Sequence, residues 1–475
     1  MASRKSFTRS LRRASSVPLR ELVPKSRNHA DVIVVGAGAA GLTAASDLGR
    51  AGLSVLILEA RSRIGGRIFT QRDPATGSPI ELGAEFIHGP PPEIWEPLQA
   101  RNTRITEVEG SQWCHQDGAL CECRFFSQID KILKKMDDRA PDESFLSFLR
   151  RCSPESGSTK QQETNRRAIA FVSGFNAADP DCVGVHWLVQ GMRSEEKIEG
   201  DRAFHAEHGY SDLLEILRQN VADARGTIQT DSVVDLIRWK QDSVEVHIGG
   251  EQRSTLSARK VLVTLPVGVL KARPGERGVV RFDPELPDSK HEALRRIAMG
   301  RVIRVTLCFK TRFWDALPAP GDSSRTLADM SFLFTEDQLF PTWWTTMPRK
   351  LPVITGWAPF RAAEQLSGKD PGQIVQEAVS TLGNLLAVPG LADQLDVGYL
   401  HDWQSDPFAR GAYSYGLVGG DGAQAVLATP LNNILFFAGE ATETTGLNGT
   451  VHAAIATGHR AAQEVLSATY SIVRG

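Results

Sequence analysis

The segment DVIVVGAGAAGLTAASDLGRAGLSVLILEARSRIGGR, residues 31 to 67, constrains this chain more than any other stretch. An apolar run from Asp31 to Val35 predicts a buried parallel strand. Gly36, Gly38 and Gly41 follow at G-x-G-x-x-G spacing, then a helical stretch with Leu42, Ala45 and Leu48 on one face. A second strand, Ser54 to Leu58, ends on Glu59. Each part answers a physical demand. Gly36 permits a tight turn, Gly38 lets a pyrophosphate approach the backbone, and Gly41 lets helix and strand pack closely. Ala39 and Ala40 open the helix, whose N-terminus opposes the phosphate charge. Glu59, 18 residues after Gly41, is placed to accept hydrogen bonds from a ribose hydroxyl pair, and Ala60 beside it is a further candidate cofactor contact. Strand, helix, second strand and terminal acid in this order predict dinucleotide binding, but the motif does not choose between NAD and FAD.

The choice comes just downstream. Arg61 and the run Arg63-Ile64-Gly65-Gly66-Arg67 place two glycines between arginines, a turn suited to a second phosphate or a ring edge. Here the chain resembles the flavin-containing amine oxidase superfamily: monoamine oxidases, polyamine oxidases and lysine-specific histone demethylases. The resemblance implies FAD, with Gly65, Gly66 and Arg67 in its site. It extends the candidate cofactor contacts to Gly83, Ala84 and Glu85 in IELGAEFIHG, to Val234 beside the adenine, and to Gly439 and Glu440 after a late strand. The block FFAGEATETTGLNGTVHAAIATGHRAA resembles the segment that closes the flavin site. A helix opening at Thr450 and Val451 would set its positive end against the negative charge of a reduced flavin.

Four residues are candidates for the chemistry itself. In WQSDPFARGAYSY, covalent members of the family carry a cysteine where this chain has Ala412, so FAD is expected to be held noncovalently. Tyr413 matches one wall of an aromatic sandwich around the amine. The opposite wall, a tyrosine in monoamine oxidases, falls at Thr450, which implies a wider chamber and a long or bulky amine. His88, in FIHG, matches a site-lining histidine of polyamine oxidases; a structural histidine is the alternative. In MGRVIRVTLCFKTRFW the family usually places a lysine, water-bridged to the flavin, where this chain has Arg304. Arginine keeps the charge but does not titrate, so the change bears on oxygen reactivity. Trp343, Trp344 and Trp357 are candidate chamber walls, or core.

The predicted fold is α/β: a Rossmann-like FAD-binding domain interleaved with a substrate domain of mixed sheet and helices. The 475 residues suffice for both. The FAD module is expected in three pieces, 30–88, 205–280 and 425–470, and the substrate module in 89–204, mostly helical, and 281–424. SPESGSTKQQETN, from Ser153 to Asn165, reads as a surface loop. Residues 1–29 hold eight Lys or Arg against one acid and read as a disordered basic tail, with a mitochondrial transit peptide as the alternative. The expected location is therefore cytoplasmic, or mitochondrial if the tail is a transit peptide. A net charge of −2 supplies no argument for nucleic acid or membrane partners. The six cysteines form no C-x-x-C pair; reduced thiols are expected and no metal site.

The functional expectation is an FAD-dependent amine oxidase, with an amine and molecular oxygen as reactants. A flavin desaturase, an amino-acid oxidase with a cationic clamp, and a noncatalytic flavoprotein are the alternatives.

Overall fold

A computed structural model describes residues 29–470, apart from 75, 117, 154–157, 242, 251 and 252. The basic tail, apart from His29, lies outside the described residues. The strand His29–Val35 sits between two parallel neighbours, Val55–Leu58 and Ser254–Val263. Thr227–Gln229 extends the sheet on one side, and Leu435–Phe437 adds in parallel to Ser254–Val263. An antiparallel meander through Ser243–Ile248 and Val234–Lys240 leads out to Arg281–Asp283, completing eight strands. The carboxyl ends of the parallel strands, at Val35, Leu58, Val263 and Phe437, share one edge. Parallel sheets of this class bind ligands at that edge.

Two helices cover one face. Ala39–Arg50 buries nine of its twelve residues, and Val451–Tyr470 crosses it where Gly458 meets Ala40. A Cβ on Gly458 would lie 2.5 Å from the Ala40 carbonyl oxygen, so a small residue is required at that crossing. Leu42 and Leu48 are fully buried beneath it, each contributing about 1.5–3 kcal/mol by leaving water.

A second sheet carries the other half of the molecule. Its order is Leu395–Asp402, Val302–Phe309, Val353–Pro359, Thr342–Thr345, Met330–Thr335, Ser111–Gln116 and Ala119–Glu122. Val302–Phe309 is buried at every position because helix Pro371–Leu385 and other elements cover the sheet.

Three expectations are corrected. The region 89–204 is not only helical: Ser111–Gln116 and Ala119–Glu122 form a hairpin that joins the second sheet. Among its described residues the polar run after Ser153 enters the helix Thr159–Gly174, because the Ser158 hydroxyl accepts the Gln161 amide and caps its start. The cysteines are not all reduced. The hairpin pairs Cys114 across from Cys121, and the chain's next step brings Cys123 into a disulfide with Cys114, Cα atoms 5.8 Å apart. That pairing depends on hairpin register, which spacing along the sequence does not show.

Candidate active site

A cavity of about 1080 Å³ runs from the carboxyl edge of the first sheet to the face of the second. At the nucleotide end the three motif glycines have three distinct surroundings. Gly36 adopts a φ of +109°, which disfavours any side chain, and a Cβ there would also meet the Thr264 hydroxyl at 2.6 Å. A Cβ on Gly41 would sit 2.0 Å from the Gly36 carbonyl oxygen. Around Gly38 a Cβ meets nothing within 4 Å, and the residue faces the cavity. The Gly65 amide donates to the Ala37 carbonyl at 2.8 Å, docking the double-glycine turn against the first loop.

Glu59 is buried and oriented from both oxygens, accepting the Ala37 amide and the Arg61 amide, each at 2.9 Å. Arg61 itself pairs with Asp406 at 2.7 Å, a partner 345 residues away that sequence reasoning missed. Glu440 is a junction. It accepts Arg67 at 2.8 Å, the Ser414 hydroxyl at 2.6 Å and the Gly449 amide at 3.0 Å, tying three distant segments together behind the cavity wall. Arg67 also donates to the Ala412 carbonyl. Ala39, Ala40, Ala60, Gly66, Gly83, Ala84 and Val234 all line the cavity; Gly41 lies behind it.

Thr450 precedes the helix Val451–Tyr470, and its hydroxyl accepts the Ala453 amide at 3.2 Å. Thr450 and Val451 border the cavity, where first-turn amides have no acceptor within their own helix. His452, just beyond, is buried, with Nε2 unpartnered among the described residues. Burial, then the neighbouring His88, pushes its pKa down to about 4. His88 also borders the cavity, and burial lowers its pKa against a hydrogen bond to the Gly200 backbone.

The far wall is aromatic. Tyr413 donates to the Phe175 carbonyl at 2.7 Å, and Gly449 lies against its ring carbons. Phe86, Phe171, Phe175, Trp344 and Trp357 complete this wall. Trp343, on the opposite face of its strand from Trp344, is fully buried core.

Arg304 is 4 % exposed and lies in this wall. Its Nη2 donates to Glu85 Oε2 at 2.5 Å and its Nη1 to the Gly83 carbonyl at 3.2 Å. The same Glu85 oxygen accepts the Trp344 indole N–H at 2.9 Å, while Trp344 lies 5.4 Å from the guanidinium. The Glu85 side chain is therefore committed to Arg304, a pairing invisible along the sequence.

Comparison with known proteins decides the family. The family model for flavin containing amine oxidoreductases matches residues 39–103 and 119–466. The chain belongs to that family. Among curated relatives it is 28 % identical to polyamine oxidase 2 of Arabidopsis thaliana, covering 98 % of this chain and 93 % of that one. It is 29 % identical to lysine-specific histone demethylase 1 homolog 2 of Oryza sativa subsp. japonica, over 93 % of this chain but only 58 % of the relative. The chain thus spans little more than half of that demethylase homologue. Putrescine oxidase bound to putrescine superposes with a TM-score of 0.75 at 19 % identity, covering 92 % of this chain and 99 % of that one. Cyclohexylamine oxidase from Brevibacterium oxydans IH-35A gives 0.74 at 20 % identity, over 93 % and 99 %.

The cofactor of the family is FAD, and the residues present fit it. The open space at Gly38, the oriented Glu59 carboxylate and the helix start at Thr450–Val451 lie along one continuous cavity. That cavity exceeds the usual range for a small-ligand site of roughly 300–1,000 Å³, leaving room for a cofactor and a substrate. Among the described residues no helix is long and apolar enough to cross a membrane.

Proposed function

We propose that this chain is an FAD-dependent amine oxidase acting on a long or bulky amine, with FAD held noncovalently. One observation carries the choice of amine over amino acid. Among the described residues, each of the four arginines bordering the cavity has an acidic partner: Arg61 with Asp406, Arg67 with Glu440, Arg202 with Glu107 and Glu199, and Arg304 with Glu85. A substrate carboxylate approaching any of them would meet an acid that already opposes the guanidinium charge. A neutral amine meets no such opposition, and the aromatic wall suits it.

FAD, when bound, supplies the two-electron acceptor. The protein's part is to bind, orient and dry the substrate. Tyr413, anchored through its hydroxyl, presents one ring face, and Thr450 opposite leaves the space that a second ring would take. His88, kept neutral by burial, offers a hydrogen bond to an unprotonated amine, the form that can give up a hydride. In this reading the imine product hydrolyses, and oxygen is the final acceptor, giving peroxide. No cysteine borders the cavity among the described residues, and Ala412 offers no thiol.

Anaerobic bleaching of the flavin by a substrate panel tests the reading. Diamines and polyamines should bleach it faster than benzylamine. Bleaching by amino acids alone would replace the reading with an amino-acid oxidase, and no bleaching with a noncatalytic flavoprotein.

A further inference from the structure

Glu85 occupies an unusual place for a carboxylate. It borders the substrate end of the cavity, yet its side chain is 9 % exposed and its Oε2 takes both the Arg304 guanidinium and the Trp344 indole N–H. Arg304 is held at this end by its partners: one Nη2 donor is on Glu85 and one Nη1 donor on the Gly83 carbonyl, while Nε, buried, has no partner among the described residues. Without Glu85, the guanidinium would offer the cavity a planar fork of donors. Such a fork is the group that binds a substrate carboxylate in two-point fashion.

We propose that Glu85 determines substrate class, acting as a built-in carboxylate that occupies Arg304 and so excludes α-amino acids and other anions from the chamber. The inference rests on the amine oxidase reading for its substrate, but its physical content is a statement about anion binding. The neighbouring charged groups are consistent with the exclusion. Glu81 approaches from the adjacent strand; burial lifts its pKa to about 7, and it accepts the Tyr210 amide and the Thr70 hydroxyl rather than Arg304. His205 Nδ1 stands 3.8 Å from the other Glu85 oxygen, and burial lowers the pKa of that imidazole against the pull of Glu85. Glu85 is thus the one acid in direct contact with Arg304 among the described residues.

Glu85→Gln removes the charge and keeps the shape. In the FAD-loaded protein, benzoate binding, read from perturbation of the flavin absorbance, should tighten at least roughly tenfold, the worth of one charge-assisted contact. The ratio of anaerobic flavin reduction rates for agmatine over arginine should fall by a similar factor. Glu85→Asp, which pulls the charge back by one methylene, is the milder variant should the first not fold, and should tighten benzoate by a smaller factor. The double variant Glu85→Gln/Arg304→Gln should bind benzoate no better than the wild type. Unchanged benzoate affinity in a folded, FAD-loaded single variant overturns the proposal, as does tight benzoate binding in the double variant. Tightened benzoate with no amine oxidised by any form would sustain the gate and defeat the amine oxidase reading.

Discussion

The two ends of the cavity are built by different means. At the end proposed to hold the nucleotide the features are those of the backbone: glycines that turn, leave room or pack, and amides at helix starts. These features belong to short, contiguous segments, and Gly36, Gly38 and Gly41 lie within six residues. At the substrate end the decisive features are side-chain pairs from distant segments. Glu85 meets Arg304 and Trp344 across sequence separations of 219 and 259 residues. Backbone recognition is written locally and is hard to alter without losing the fold or the cofactor. Side-chain recognition is assembled by tertiary structure, so single substitutions there should redirect chemistry while leaving the fold intact.

The contrast is tested most severely at the glycines. Gly38→Val should yield folded protein without flavin, because its Cβ meets no protein atom within 4 Å but projects toward the space a pyrophosphate must use. Gly41→Val should instead damage the fold, since its Cβ would collide with the Gly36 carbonyl at 2.0 Å. Circular dichroism together with the flavin-to-protein absorbance ratio separates the two. Stoichiometric FAD in Gly38→Val would break the assignment of the nucleotide end.

Arg304→Lys comes next in size. A lysine retains the charge but loses the fork that grips both Glu85 and the Gly83 carbonyl. If oxygen is the acceptor, stopped-flow reoxidation should change by roughly tenfold or more, the scale of one electrostatic group at a reacting centre, while anaerobic reduction moves less. Collapse of reduction alone would make Arg304 a substrate-binding residue.

His452 lies on the helix that joins the two ends. Its folded pKa is depressed to about 4 by burial and then by His88, so the unfolded chain takes up a proton first as pH falls. Stability is therefore full above pH 6.5 and is lost progressively toward pH 4. His452→Gln should remove roughly 2 kcal/mol of the stability difference between pH 7 and pH 5. Urea midpoints at the two pH values provide the measurement, and an acid dependence identical to wild type would show that the imidazole is solvated.

The smallest expected effect concerns the half-built aromatic sandwich. Thr450→Tyr should shift preference toward benzylamine by roughly 2- to 13-fold, the worth of about 0.5–1.5 kcal/mol for an added aromatic contact. The same change deletes the hydroxyl cap on Ala453, so thermal stability should fall by about 1 kcal/mol. A variant with lowered stability and an unaltered amine preference would show that Thr450 is a cap and not a chamber wall.

Much of this was legible in the chain. The β-α-β start emerged where periodicity and glycine spacing placed it. The strands before Gly36 and Gly439, and the helices over Ala39–Arg50 and Val451–Tyr470, also matched their apolar patterns. Trp343 and Trp344 were not separable by sequence, because adjacent residues of a strand face opposite sides and only the sheet's packing says which side is core. The Cys114–Cys123 disulfide was hidden for a related reason: it follows from the register of a hairpin in a region expected to be helical. Arg61, expected beside a phosphate or a ring edge, borders the cavity, and the fold also gives it an acidic partner, Asp406, from the far end of the chain.

By itself, then, the sequence determined the strand–glycine loop–helix start on which the proposed dinucleotide site rests, because steric room and amide direction are properties of a few consecutive residues. It also determined that Ala412 leaves no thiol for a covalent bond, since that depends on residue identity alone. Only the tertiary structure decided which charges are free. Whether Arg304 is a clamp for an anion or a neutralised strut depends on a carboxylate 219 residues away, and Coulomb attraction and desolvation act through space, not along the chain.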